Sequence, residues 1–566
     1  MKVLLVAINS KFVHSNLAIR YLKSYTKELN YKCEVLEFTI NDRREKVLED
    51  IIMEKPDIVA FSCYIWNIEY ITALAKLIKT INGNIEILYG GPEVSYDGKE
   101  FLIRNVGEYL IQGEGEETYK EFIESKLINE ESKQYNLTGI LGLYIKKENK
   151  ILYKGKRELM DMNNISFPYN KEDDLSNKIV YYEGSRGCPF NCKYCLSSTE
   201  HGVRFIELAR AKRELQCLMD KGVTLVKFVD RTFNCNSKFA MGIWEFLINI
   251  KTNTTFHFEI SADILKEEEI SLLARAPKGR FQFEVGVQTT NDTILKNINR
   301  QVNFSSIKHK VLELKKLKNI NQHLDLIAGL PGESLESLIN SFNDVYSIAP
   351  NVIQLGFLKL LKGSSMREEA DKWGMVYSPF PPYEVLKTKD ITYEELILLK
   401  RIEEVLDKYY NSGKFSTILK LFIPKFKSPF EFYSKLGIFF YDCGYLRRGL
   451  SFSDYYKVFL EFNHQILCET NEKLIEIIKY DYIRFNKKKW IPEFLNRKTD
   501  KNLENIVKNE IKAGNIVVES KNYHIEGFNL DIYAFIEEGI IKTSDMYILF
   551  EETLGHLGSD ITYLHN

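Results

Sequence analysis

The sequence predicts an α/β chain in three parts. These are an N-terminal doubly wound parallel sheet of the Rossmann or flavodoxin kind, a central partial (β/α)6 barrel of the TIM kind, and a mainly helical C-terminal domain with a late β-hairpin. Three observations carry this. Strand-like apolar runs alternate with helical spacing over residues 1–125, and again from 179 to 365. Polar residues recur where those runs end. Beyond 366 the alternation stops and aromatic-rich amphipathic segments take over. The expected parts are 1–125, a connector at 126–178, the barrel at 179–365 and the C-terminal extension at 366–566.

A chain of 566 residues is long enough for two or three full cores. Its 77 basic and 78 acidic residues nearly cancel, so total charge argues for neither a nucleic-acid nor a membrane partner. The opening Met1–Ile8 is too short for a signal segment and reads as a strand. No apolar run approaches the ~18 residues of a membrane span, and a cytoplasmic protein is expected. Nine cysteines are scattered except for one central trio, which does not resemble a secreted disulfide framework.

In the first part, Val3–Ile8 is a continuous apolar run suited to a buried parallel strand. Leu17–Leu29 has helical spacing. Cys33–Phe38 is a second strand, Val47–Met53 a helix, Asp57–Ser62 a third strand and Ile71–Ile81 a helix. Strands at Ile85–Tyr89 and Tyr109–Gln112 end in Gly90-Gly91-Pro92-Glu93 and Gly113-Glu114-Gly115-Glu116-Glu117. Open sheets bind ligands beyond the carboxyl ends of their strands, which selects the loops Asn9–Asn16, Ser62–Asn67, Gly90–Ser95 and Gly113–Glu117. There is no GxGxxG and no GxxxxGK[ST], so neither a dinucleotide nor a P-loop site is expected. Gly90-Gly91 would let backbone approach a large flat ligand. Glu114, Glu116 and Glu117 also suit an ordinary helix first turn.

In the connector, Gly142–Lys147 and Ile151–Lys156 read as a hairpin turning at Glu148-Asn149-Lys150, and Pro168 keeps Asp161–Tyr169 extended. Barrel strands are expected at Ile179–Gly184, Leu225–Val229, Phe256–Ser261, Gln282–Val287, His323–Ala328 and Val352–Lys359, with helices such as Ala209–Asp220 and Phe239–Ile250 between them. Barrel sites form at carboxyl strand ends. The polar residues there are Asp230, Glu259, Glu284 to Gln288, and Asp325 ahead of Gly329-Leu330-Pro331-Gly332-Glu333. Taken singly, each is more often an ion-pair partner than a ligand contact; their common position at strand ends makes the two readings even.

The densest chemistry lies in Gly184–Cys195. Cys188, Cys192 and Cys195 stand at positions 0, 4 and 7, with Tyr194 directly before the last. Three converging thiolates can hold three irons of a 4Fe-4S cube and leave the fourth iron open to a ligand. The competing reading is a zinc site completed by His201, although structural zinc usually takes two paired ligand sets.

This trio resembles the CxxxCxΦC signature of the radical S-adenosylmethionine (SAM) enzymes. The resemblance implies that the open iron chelates SAM. Electrons from a reductant such as flavodoxin or ferredoxin would then cleave SAM to a 5'-deoxyadenosyl radical. The strand-end motifs resemble those of radical SAM domains in their order. They imply SAM contacts from Tyr194, Asp230, Glu259, Glu284, Gly286, Gln288, Asp325 and Gly329. The layout of residues 1–125 resembles the cobalamin-binding domain of cobalamin-dependent radical SAM enzymes. It implies contacts from Asn9, Ser10, His14, Ser62, Gly90, Gly91, Pro92, Glu93, Gly113, Glu114, Gly115 and Glu116. The usual DxHxxG is absent around His14, which implies a cobalamin without a histidine ligand. His14 either touches that ligand or sits in a polar loop.

The implied reaction is methylation of an unactivated carbon in a small-molecule or peptide substrate. No residue is assigned as catalytic. Other outcomes of the same machinery are rearrangement or cyclisation, methylthiotransferase-like RNA modification, and a non-catalytic cobalamin or redox sensor.

After Tyr377–Tyr383, an extended boundary, helices are expected at Thr392–Lys408, Ile418–Phe422, Phe430–Tyr441, Phe452–Leu467 and Leu474–Phe485. Tyr523–Ile536 and Met546–Glu551 read as paired strands. This part resembles an uncharacterised extension found on one branch of the same proteins. The Lys487–Trp490 run reads as a solvated face.

Overall fold

The computed structural model describes residues 1–128, 137–148, 150–170, 173–199, 202–486, 491–496, 498, 501–518, 522–551 and 559–564. The chain forms two compact units. The first comprises Met1–Ser334 and Phe357–Thr392, the second Leu335–Gly356 and Tyr393–Asn566. These units cut the chain differently from the expected boundaries at 125, 178 and 365.

The first unit opens with a seven-stranded sheet. Its strands are β1 (Lys2–Asn9), β2 (Lys32–Thr39), β3 (Ile58–Ser62), β4 (Glu86–Gly90), β5 (Tyr109–Ile111), β6 (Leu143–Lys147) and β7 (Lys150–Tyr153). Their order is β2-β1-β3-β4-β5-β6-β7, with the first five parallel. Residues Val3–Ile8 are wholly buried because helices cover both faces of β1. The order reverses between β1 and β3, so the loops that follow them flank the switch point where such sheets bind ligands. The hairpin expected in the connector does form, and it extends this sheet through an antiparallel β5–β6 pairing. Its turn residue Asn149 and the connector's Lys171 lie outside the described residues.

Local chemistry sets the helices of this sheet. Asn16 caps Leu17–Tyr25 by accepting from the Ile19 N–H at 3.2 Å. Helix Ile68–Ile81 buries Ile68, Ile71, Leu74, Ala75 and Ile78 along one stripe against the sheet.

The chain then forms β8 (Ile179–Tyr182) and an antiparallel pair, β9 (Ser185–Cys188) with β10 (Gly202–Phe205). A parallel series follows: β11 (Leu225–Phe228), β12 (Thr255–Ile260), β13 (Phe281–Gln288) and β14 (Ile320–Ala328). Each of these strands pairs with the next, and β8 lies beside β11. The expected sixth strand forms as β15 (Val352–Phe357). Burial alternates along β14, and along β13 as far as Val287. Phe281, Phe283 and Val285 are buried on one side, while Gln282, Glu284 and Gly286 take the other. The first unit closes with a short pair, β16 (Val376–Tyr377) and β17 (Val385–Lys387).

The second unit is mainly helical. Its helices include Leu335–Ile348, Tyr393–Leu406, Ser416–Phe422, Pro429–Asp442, Phe452–Phe462 and Glu472–Phe485. Ser428 caps Pro429–Asp442, with proline in the first helical position where no N–H is needed. Aromatic rings fill the core. Tyr409, Phe415, Phe422, Tyr456 and Phe459 are buried, and Tyr409 and Phe459 meet edge to face at 4.7 Å.

The late strands are three: β18 (Tyr523–Leu530), β19 (Thr543–Glu551) and β20 (Asp560–Leu564), in an antiparallel sheet. The expected single strand over 523–536 is corrected here. Asp531 accepts from the Ala534 N–H at 2.9 Å and starts a helix, Ile532–Glu538, which Gly539 ends in the left-handed conformation. Lys487–Trp490 lies outside the described residues. Among the described residues no helix is long and apolar enough to cross a membrane.

Candidate active site

The cysteine loop leaves β9 and is held at its base by Asp230. Asp230 accepts from the Ser185 hydroxyl at 2.5 Å and the Gly184 N–H at 2.9 Å. Burial pushes its carboxyl up to about 7 in spite of those bonds. Asp230 is thus a brace for the loop, and its neighbour Arg231 reaches Glu259 at 3.9 Å instead.

Further along, the Lys193 N–H donates to Ile298 O at 3.0 Å, the Met366 N–H to Lys193 O at 2.9 Å, and Lys193 Nζ pairs with Glu369 at 2.8 Å. Cys188 Sγ lies 3.6 Å from Thr232 Oγ1, and Arg300 Nη1 lies 3.9 Å from Cys192 Sγ. Burial pushes the Cys192 thiol up, Arg300 draws it down, and the Cys188 and Cys195 thiols push it up again, so the three sulfurs sense one another. Among the described residues no three His, Cys, Asp or Glu side chains hold a single ion. A cube takes one thiolate per iron and asks for a wider set. His201 lies outside the described residues.

Facing this loop are the polar sides of the parallel strands. Glu284 accepts from His257 Nε2 at 2.8 Å and pairs with Lys227 at 3.2 Å. Burial disfavours its charge, but these two partners more than offset that and hold it below the usual carboxylate range. Asp325 is raised well above that range by burial, then by Glu284 and Glu259, and Glu259 is raised by burial. Among the described residues, Asp325 Oδ1, Gln288 Oε1 and Arg300 Nε are buried without a hydrogen-bond partner. Buried orphans of this kind mark a place where a polar ligand completes the bonding.

Gln288 also has a left-handed backbone, with φ of +68°, at a break in the β13–β14 register beside Gly286. Gly329, with φ of +86°, turns the chain after β14. Glu333, fully buried, accepts from the Thr289 hydroxyl at 2.6 Å. Tyr194 is close enough to Arg300 for each to shift the other's titration, and burial raises its hydroxyl.

The candidate cobalamin loops sit at the carboxyl end of the first sheet. Asn9 Nδ2 donates to His14 O at 3.2 Å, and Ser62 Oγ lies 3.5 Å from Asn16 Nδ2. Ser10 is half-buried at the end of β1. His14 Nδ1 meets the Tyr181 hydroxyl at 2.7 Å, and His14 bridges to Ile179 at the start of β8. Burial lowers the pKa of His14, with Lys11, Lys227 and Lys178 adding to the effect.

The Cys63 N–H donates to Gly90 O at 2.7 Å. A Cβ on Gly91 would lie 2.5 Å from Cys63 O, so the tight approach that requires this glycine is to the protein's own backbone. Pro92 and Gly113 are exposed. Glu93 pairs with Lys362 at 3.1 Å and accepts from Tyr383 at 2.5 Å. Glu114 pairs with Arg204 at 2.5 Å, and beyond Gly115, Glu116 pairs with Arg186 at 2.5 Å. The acids of these turns therefore fasten the first sheet to the cysteine loop and to the 357–392 segment. Large apolar side chains remain exposed on the same loops: Phe12 at 70%, Trp66 at 44% and Tyr96 at 41%.

Several of these residues escaped the sequence reading. His257 and His323 stand two residues before Glu259 and Asp325, so period-two polarity in strands otherwise apolar was a usable signal there, and Lys227 is the single polar residue of its strand. Arg186, Arg300 and Trp66 left no local signal, because their roles depend on contacts remote in sequence.

Residues 3–123 match the B12 binding domain, residues 182–345 the Radical SAM superfamily, and residues 371–550 a protein family of unknown function, DUF4080. The chain is 26% identical over 410 residues to an uncharacterized methyltransferase of Pyrococcus horikoshii, PH0819, covering 68% of this chain and 86% of that one. It is 25% identical over 310 residues to the cobalamin-dependent radical SAM methyltransferase TokK of Streptomyces tokunonensis, covering 51% of this chain and 44% of TokK.

Among solved structures, OxsB, a cobalamin-dependent SAM radical enzyme, superimposes with a TM-score of 0.59 at 15% identity, over 92% of this chain and 82% of that one. The radical SAM methyltransferase TsrM of Kitasatospora setae gives 0.57 at 16% identity, over 68% and 79%. At such identities these two establish the fold. The family matches over 3–123 and 182–345 give the class, a radical SAM domain joined to a B12 binding domain. The domain matches narrow that class: the chain is a cobalamin-dependent radical SAM enzyme carrying a DUF4080 region, with a 4Fe-4S cluster, SAM and cobalamin as its cofactors.

Proposed function

We propose that the chain transfers a methyl group from SAM to an unactivated carbon of a small-molecule or peptide substrate. One observation carries this. Within the first unit, the loops that end the B12-type sheet are bolted to the cysteine loop by Arg186. Two residues before Cys188, it pairs with Glu116 at 2.5 Å and Glu114 at 3.5 Å. A corrinoid held by the first set of loops and a cluster held by the cysteines would then lie on directly linked segments of one unit.

The bound cofactors supply the electron for SAM cleavage and the methyl carrier. The chain's own residues supply position. Cys188, Cys192 and Cys195 hold the cluster. Gln288, Asp325 and Arg300 offer unpartnered polar atoms to SAM. Phe12, Trp66 and Tyr96 cover the corrinoid and exclude water, which a carbon radical must not meet. His14 Nδ1 is engaged by the Tyr181 hydroxyl, so this side chain would stay with the protein rather than serve as a metal ligand.

The test is anaerobic incubation of reconstituted protein with SAM, reductant and cobalamin. About four irons and about one cobalt per chain are expected, with S-adenosylhomocysteine and 5'-deoxyadenosine both formed. Iron and SAM cleavage without cobalt would sink the methylation reading and leave a radical SAM enzyme of another reaction type.

A further inference from the structure

We propose that Arg300 is a positioning residue for the iron–sulfur cluster, a buried cation that donates to the Cys192 sulfur and sets how readily the cluster is reduced. The proposal rests on the cofactor reading above.

Three consecutive residues lace to three consecutive residues of the cysteine loop. Asn299 Nδ2 donates to Asn191 O at 2.8 Å, Arg300 Nη1 lies 3.9 Å from Cys192 Sγ, and Ile298 O accepts from the Lys193 N–H at 3.0 Å. The guanidinium is aimed by a second anchor, Arg300 Nη2 to Gly286 O at 2.6 Å. That anchor explains the irregular end of β13. The register breaks there, Gln288 takes a left-handed backbone, and a Cβ on residue 286 would lie 2.2 Å from Gln288 Nε2 and 3.5 Å from Arg300 Nη2. Strain at a strand end persists when it serves a site.

Arg300 makes no ion pair among the described residues, and Asp263 acts on it only through space. Its Nε is buried and unpartnered. A buried cation needs a counter-charge. Three thiolates on a cube give the cluster net negative charge, and one-electron reduction makes it more negative. A guanidinium against Cys192 therefore favours the reduced form. Hydrogen bonds to cluster sulfurs act in the same direction.

The experiment uses the full chain, reconstituted anaerobically, as wild type, R300K and R300Q. Iron is counted, and the cluster is titrated with dithionite while the reduced signal is followed by electron paramagnetic resonance. R300Q should load fully and shift the reduction equilibrium about tenfold toward the oxidised form, or ~59 mV for one electron. R300K, which keeps the charge, should stay within about threefold of wild type. Poor loading of R300Q with full loading and near-normal reduction of R300K would also support the charge role. Loaded R300Q with the wild-type potential overturns it. So does an equal shift in both variants, or loss of cluster from both. A wild type that takes up no cluster overturns the cofactor reading as well, which separates the two failures.

Discussion

Lys479 in the second unit and Arg300 in the first are both buried cations, yet their surroundings differ. Lys479 is wholly buried, donates to Gly527 O at 2.8 Å and pairs with Glu476 at 3.3 Å. Glu476 also accepts from the Asn529 N–H at 2.9 Å. Nearby, Glu526 accepts from the Lys498 N–H at 2.6 Å and meets His524 at 2.9 Å. This network closes on itself and ties helix Glu472–Phe485 to β18. Around Arg300, Gln288 and Asp325, by contrast, buried atoms are left open. Buried polarity that is complete specifies a fold, whereas buried polarity that is incomplete waits for a ligand.

Four substitutions break or sharpen that contrast. The largest effect belongs to the open region. Cys192→Ser should abolish SAM cleavage and drop iron content, read by colorimetry and by 5'-deoxyadenosine release. Iron retained at the wild-type level would mean that this thiol is not a ligand.

Next comes the closed network. Lys479→Met leaves Glu476 buried without its cation and should cost about 3 kcal/mol in urea unfolding, while iron content holds. A loss below about 1 kcal/mol would show that the network is dispensable.

Asp325→Asn should do the reverse. Among the described residues Oδ1 has no partner, and an amide can still donate to Glu284 as the protonated carboxyl does, so stability should move by less than about 1 kcal/mol, while SAM affinity by calorimetry falls about tenfold.

The smallest effect is one of pH. Burial pushes Glu333 up to about 8, with the Thr289 hydroxyl bond opposing. A carboxyl raised in the folded state stabilises fully below its ordinary pKa of 4.5, and that stability is lost as pH rises through about 8. Glu333→Gln should therefore flatten the decline of the thermal midpoint between about pH 5 and pH 8.5. An unchanged slope would place the titration elsewhere.

The fold class was legible because parallel strands buried on both faces read as unbroken apolar runs, as Val3–Ile8 does. The cysteine trio was legible because its ligands are local. The hairpin at 143–153 was legible as a hairpin but not as part of the first sheet, since its pairing with β5 spans more than thirty residues. The stretch 523–536 misled because Phe528, Leu530, Ile532 and Phe535 are apolar on both sides of Asp531, and only the cap at Asp531 separates strand from helix. Arg300 was invisible for a different reason. A lone arginine in Asn299-Arg300-Gln301 carries no pattern, and its meaning comes from register at Gly286 and from a sulfur more than a hundred residues earlier.

The chain path has a consequence for synthesis. The first unit is interrupted: it stops at Ser334 and resumes at Phe357. The backbone bond from Met366 to Lys193, in the middle of the cysteine loop, therefore cannot form until about 170 further residues have left the ribosome, roughly ten to thirty seconds at ordinary elongation rates. Through that interval the newborn loop carries three thiols and lacks one of its closing straps. Oxidants and stray metal ions would find their easiest access then, so the yield of intact enzyme should depend on how oxygen-free the cell is while the chain is being made.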